Sequence, residues 1–299
     1  ALESAGRETI LSGLDDAIAT IQLAIDIAKD WVNKNQEDIN KFGVFQTGYL
    51  GLSTPENGLE LYDGTIRLID RKGAELENFL DQDYLDYINE HVESWSYLKF
   101  PYYKKLGWPD GVYRVGPLGR LNVAEKIDTP LANAELKNFK TINNGMPVEQ
   151  TLHFHYARLI ETLFAAEQVR VLLEDPEILS KDVLNTTKDL KGEGVGVLEA
   201  PRGTLIHHYW ANENSQLEKV NLIVATGHNN YAMSKAVDSV AKTYIQGPDI
   251  TEGILNRVEA AVRAHDPCLS CSTHAVGQMP ISIDVCAPDG TTIKTIQRD

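Results

Sequence analysis

Two thiols, an acid and an imidazole stand close together in Asp266-Pro267-Cys268-Leu269-Ser270-Cys271-Ser272-Thr273-His274. Thiolate is the soft ligand that selects zinc, copper(I), nickel or iron over magnesium or calcium, and Cys-x-x-Cys spacing lets two sulfurs reach one ion or bridge two. Three chemistries fit these residue types. Cys268, Cys271 and His274 could complete a tetrahedral zinc site with Cys286, the one cysteine left in the chain. The pair could instead be a dithiol redox centre, although such thiols are activated at a helix start and here the helical pattern precedes them. Both could also be buried and chemically idle. Spacing alone leaves the three open.

The rest of the chain narrows the classes of function. Its 43 acids against 28 Lys and Arg give a net charge of -15, which disfavours sequence-independent binding to a phosphate backbone, so nucleic acid is not expected as a partner. No run approaches the roughly 18 apolar residues of a membrane span, and the N-terminus lacks signal-peptide order. The expectation is a soluble, cytoplasmic protein. Three cysteines in 299 residues argue against a disulfide framework and leave the pair free for metal or redox work.

Several elements must position the motif. Ile10, Leu14, Ala17, Ile21, Ala24 and Ala28 recur at helical spacing, and Leu152, Tyr156, Leu159, Leu163 and Ala166 mark a second helix from about 148 to 174, stopped by Asp175-Pro176. His153 and His155, two apart near its start, face different ways and read as ordinary hydrogen-bonded histidines. Between 42 and 70, short apolar runs broken by glycines predict a small sheet or hairpin. Aromatic residues crowd 91–123, where they most simply pin a long loop to its own domain. Gly192, Gly194 and Gly196 resemble a phosphate cradle, but no Lys-Ser/Thr follows and a nucleotide site is rejected. Residues 220–226 read as a buried strand ending at Gly227. Helices follow over 230–244 and 251–264, the latter capped by Thr251 and leading directly into Asp266. Residues 281–296 read as a hairpin. The fold class expected is α+β, predominantly helical, with long packed helices and a small sheet.

The motif, with Glu199-Ala200-Pro201-Arg202-Gly203 and Ile223-Val224-Ala225-Thr226, resembles the C-terminal half of nickel–iron hydrogenase large subunits, most nearly the soluble NAD-reducing type. Trp95 to Tyr103, Tyr113-Arg114-Val115-Gly116-Pro117-Leu118 and Thr204 to Tyr209 match as well, so the likeness spans nearly the whole chain. The resemblance implies that Cys268 is a terminal nickel ligand and that Cys271 bridges nickel to an iron carrying carbon monoxide and cyanide. It implies that Arg202 and Asp266 lie over the metals and polarise dihydrogen as it splits. Ala200, Pro201 and Thr226 would line the diatomic-ligand pocket, and His274 with the carbonyl of Leu222 would bind magnesium or a similar ion. A fixed cation beside soft-ligated metal also suits heterolytic cleavage on chemical grounds.

The implied partners are a small subunit with an iron–sulfur cluster, diaphorase subunits, nickel-insertion chaperones and a maturation endopeptidase. Two departures qualify the likeness. The family's Arg-x-Cys-Gly-x-Cys element and its proton-passing glutamate do not occur, so the expectation is a C-terminal fragment that is inactive alone and binds the metals weakly or not at all. The family is also cut after its motif histidine, so 1–274 would be the large-subunit part. Residues 275–299 would be an extension, removed on maturation between His274 and Ala275. Two other readings stand beside this one: the zinc-stabilised module of Cys268, Cys271, His274 and Cys286, and a complex I-like scaffold. The cysteine pair counts against the scaffold.

Overall fold

The computed structural model describes residues 2–186, 191–268 and 281–298. The first helical pattern forms α1 (Ser4–Lys34), followed by the single turn α2 (Gln36–Ile39). The inward stripe of α1 is Leu14, Ile18, Ile21 and Ile25, spaced three and four apart. Ile10 and Ala17, expected on that stripe, are exposed.

The glycine-broken stretch folds as β1 (Gly48–Ser53), β2 (Thr65–Ile69) and β3 (Glu75–Phe79), each antiparallel to the next. After the turn α3 (Tyr84–Tyr87), the aromatic segment supplies the hairpin β4 (Ile88–Val92) and β5 (Lys99–Tyr103), the short β6 (Tyr113–Arg114) and α4 (Gly116–Val123). Strand β6 joins β1 in parallel and completes the order β3-β2-β1-β6. The aromatics divide. Phe100, Trp108, Tyr231 and His91 stack together as the pinning reading expects, whereas Trp95 and Tyr97 are 67% and 85% exposed.

Helix α4 is buried along its whole length and therefore has no polar face to mark it in the sequence. Helix α6 (His153–Glu174) packs against it, and α5 (Pro130–Thr141) and α1 pack on α6, all sharing one apolar core. The first amides of α5 have no intrahelical acceptor, and the buried Glu167 of α6 takes those of Leu131 and Ala132, both at 2.9 Å. Helix α6 starts five residues later than the sequence pattern suggests, because 148–152 form the turn that delivers the chain to it.

The glycine-rich run is strand β7 (Glu193–Ala200), with no cradle in it. It pairs with β8 (Gly203–Ala211), and β8 pairs with β9 (Leu217–Ile223). Two expectations fail here. The strand ends at Ile223, not Thr226, and only Ile223 along it is buried, because β9 is the edge of this three-stranded sheet. The turn α7 (Ala225–His228), α8 (Asn230–Tyr244) and α9 (Glu252–Ala264) complete the helices. Thr251 does stand at the start of α9, but its hydroxyl makes no capping bond there. The hairpin of β10 (Ile281–Cys286) and β11 (Thr292–Arg298) matches expectation. Together these elements give the α+β class that the sequence indicates. No helix among the described residues is long and apolar enough to cross a membrane.

Candidate active site

Three segments far apart in sequence converge. The first is the turn between β7 and β8, where Ala200 pairs with Gly203 and leaves only Pro201 and Arg202 at the tip. The second is the α7 turn, which carries the buried Thr226. The third is the chain leaving α9, which reaches Asp266 and Cys268.

The Arg202 guanidinium meets Asp266 twice: its Nε donates to the Asp266 carbonyl at 2.5 Å and lies 3.3 Å from Oδ2 of the carboxylate. Both side chains are partly open, at 39% and 45% exposure. Asp266 adopts φ +53°, the left-handed region that short polar residues tolerate and that concentrates at functional sites. Two residues on, the Cys268 amide donates to Thr226 Oγ1 at 3.2 Å. A hydroxyl that accepts this bond keeps its own proton to donate elsewhere.

The tip is held from beneath by Arg120 of α4. Nη1 donates to Glu199 Oε2 at 2.7 Å and to the Ala200 carbonyl at 2.9 Å, while Nη2 donates to the Pro201 carbonyl at 3.1 Å. Nε and Nη2 also form a fork on Glu161 of α6, each bond 2.6 Å. Burial would pull this guanidinium down, but the two carboxylates hold it above its ordinary range. Burial pushes Glu199 up while Arg120 opposes it. The Leu52 amide, the Thr204 hydroxyl and Arg120 all donate to Glu199, which is the arrangement of an ionised carboxylate. Backbone contact closes the other side. Gly116 has φ +79° and a Cβ there would lie 2.7 Å from the Arg202 carbonyl, while one on Gly203 would lie 2.2 Å from Val115 Cγ2.

The structure therefore joins Arg202 to Asp266 and Thr226 to Cys268. Leu222 sits on β9 opposite His207, four positions before Thr226. Cys271, His274 and Ala275 lie outside the described residues. Cys286, the fourth ligand of the zinc reading, is an exposed free thiol on β10. Among the described residues no three His, Cys, Asp or Glu side chains gather into a metal-binding group. His153 and His155 do not form a pair: His155 is exposed, and burial pushes His153 down to about 4, with no hydrogen-bond partner for its Nδ1 among the described residues. A cavity of about 710 Å³, lined by Phe45, Asp70, Tyr103, Tyr113 and Tyr231, takes in none of the converging segments.

Arg120 was not legible as a site residue. The only local signal is an arginine between Leu118 and Leu121 in an otherwise uncharged segment, since its partners lie 41 and 79 positions away.

This fold has known counterparts. The family description "Nickel-dependent hydrogenase" matches residues 62–274. The chain is 43% identical over 295 residues to the NAD-reducing hydrogenase HoxS subunit beta of Cupriavidus necator, across 95% of this chain and 60% of that protein. It is 41% identical to a chain of the F420-non-reducing hydrogenase vhc of Methanococcus voltae, across 97% of this chain and 62% of that protein. Its structure matches an NAD+-reducing NiFe-hydrogenase in the H2-reduced state with a TM-score of 0.87 and 41% identity, covering 91% of this chain and 60% of that one. A NiFeSe-hydrogenase from Dm. baculatum, 20% identical with a TM-score of 0.65, shares the fold. The chain belongs to the nickel-dependent hydrogenase family, and it spans about 60% of the length of these relatives.

Proposed function

We propose that this chain is the part of a hydrogenase large subunit that carries Arg202, Asp266 and one cysteine pair of the metal centre, and that the assembled enzyme interconverts dihydrogen with protons and electrons. The observation that carries the reading is the meeting of Arg202, Asp266, Thr226 and Cys268 from three separate segments. A metal centre of nickel and iron suits the donors here in kind, because reduced Cys268 offers soft sulfur and its amide is already fixed by Thr226. Cys268 and Cys271 would be the residues of this chain that hold the nickel and iron. The bound centre supplies the redox and Lewis-acid chemistry that dihydrogen cleavage needs. Two thiols fill half of the family's four-thiolate set, so the other pair is supplied from outside residues 1–299.

The chain's own residues do the rest. Arg202 sets a positive charge beside the motif, against the Asp266 carboxylate. Asp266, tied to it, offers a carboxylate that can hold a proton beside the motif. The Thr226 hydroxyl and the Ala200–Pro201 backbone would line the pocket for the diatomic ligands, carbon monoxide and cyanide. The Leu222 carbonyl and His274 would bind magnesium. Likeness to the NAD-reducing hydrogenase HoxS subunit beta supports NAD as final acceptor and further subunits as partners; the proposal takes these to be small and diaphorase subunits in a cytoplasmic setting. Nickel-insertion chaperones and an endopeptidase cutting between His274 and Ala275 complete the proposal. The family match, which runs to residue 274, supports that boundary.

The test is dihydrogen-dependent NAD+ reduction by the hydrogenase assembled with this chain carrying R202K. Turnover should fall by about a hundredfold with nickel content unchanged, the scale for removing one placed donor. Unchanged turnover would remove Arg202 from the reaction.

A further inference from the structure

A two-residue hairpin tip is ordinarily among the least restrained parts of a fold, yet Arg202 sits on one and has to meet Asp266 within a fraction of an ångström. The Pro201 side of the tip is exposed. Its restraint comes from the backbone side, where one guanidinium takes both outward carbonyls, those of Ala200 and Pro201. The same guanidinium is fixed on Glu199 within the hairpin and forked on Glu161 of α6. A lysine cannot replace it, since a single ammonium nitrogen has no planar fork to span these five acceptor oxygens.

We propose that Arg120 is a positioning residue for Arg202: by fixing the Ala200 and Pro201 carbonyls it sets where the Arg202 guanidinium meets Asp266. Glu161 orients Arg120 and so acts on the tip at one remove. The geometry stands without any metal; only its consequence for the metal centre rests on the hydrogenase reading.

The first arm of the test uses the full chain and proton–nitrogen NMR of arginine side chains. The Arg202 Nε–H is donated to the Asp266 carbonyl, and the Arg114 Nε–H, donated to Thr47 Oγ1 at 3.0 Å, reports general loosening. In R120K the Arg202 signal should exchange with solvent about tenfold faster while that of Arg114 holds, the mark of local rather than global opening. E161Q, which keeps Arg120, should give the same selective effect at smaller size and serves if R120K fails to fold. Arg202 exchange unchanged, or changed equally with Arg114, overturns the proposal. The second arm uses the assembled, metal-loaded enzyme and the infrared stretching bands of its diatomic ligands. R120K should shift the bands that R202K shifts. Bands moved by R202K but not by R120K overturn the positioning role at the metal. Bands moved by neither count against the hydrogenase-site reading and leave the first arm standing.

Discussion

The underside of the β7–β8 turn, where Arg120 roots it, and the tip of that turn each hold an arginine against a carboxylate, in opposite settings. At the root, Arg120 with Glu199 and Glu161 is almost wholly buried. At the tip, Arg202 and Asp266 are both partly open to solvent. Breaking a buried ion pair from one side leaves an uncompensated charge and costs about 3–5 kcal/mol, whereas an exposed pair contributes about 0–1 kcal/mol. Stability and chemistry are thereby separated within a few residues. The root makes the tip rigid, and the tip is left open for another group.

That contrast can be broken by mutation. The largest expected effect is at the root: R120M leaves Glu161 and Glu199 unpaired and should lower unfolding free energy by about 3–5 kcal/mol in urea titration. A loss below about 1 kcal/mol would show that the root is no anchor.

Acid offers a second probe of the buried side. Burial pushes His228 down to about 3 and His153 to about 4, so both are neutral when folded, against about 6.5 when unfolded. Between those values the unfolded chain binds more protons, so the stability is complete above about pH 6.5 and is lost as pH falls toward 4 and 3. Each histidine should account for about 2 kcal/mol at pH 5. H228Q should flatten a profile of melting temperature against pH, and an unaltered profile would place the acid lability elsewhere.

A smaller effect is expected at Tyr113, whose hydroxyl meets His228 Nδ1 at 2.8 Å under the α7 turn. Y113F should cost about 1 kcal/mol in the same urea titration, one buried hydrogen bond. Smallest is R202A, expected to stay within about 1 kcal/mol of the parent chain. A drop as large as that of R120M would erase the distinction between root and tip.

Much of the fold was legible because its elements repeat apolar residues at a regular spacing. Helices α6, α8 and α9 and the terminal hairpin show their periods in Tyr156 and Leu163 or in Ile283 and Val285. Helix α4 was not, since a segment buried on every side has no period to display. The edge strand β9 was misread as buried because an apolar run such as Val220 to Ile223 looks the same at the rim of a sheet as at its centre. Of the site, Arg202, Asp266, Thr226 and Cys268 were reached through the family likeness of their motifs, and three segments had to fold together before their contacts existed. Arg120 escaped because its role is defined wholly by distant acceptors, and no pattern near position 120 names them.

The central claim is that Cys268 is a ligand of nickel, and metal analysis of the hydrogenase assembled with this chain tests it most directly. C268S should abolish nickel incorporation while C286S leaves it intact. Nickel retained in C268S, or zinc bound in the parent protein and lost in C286S, would contradict the account.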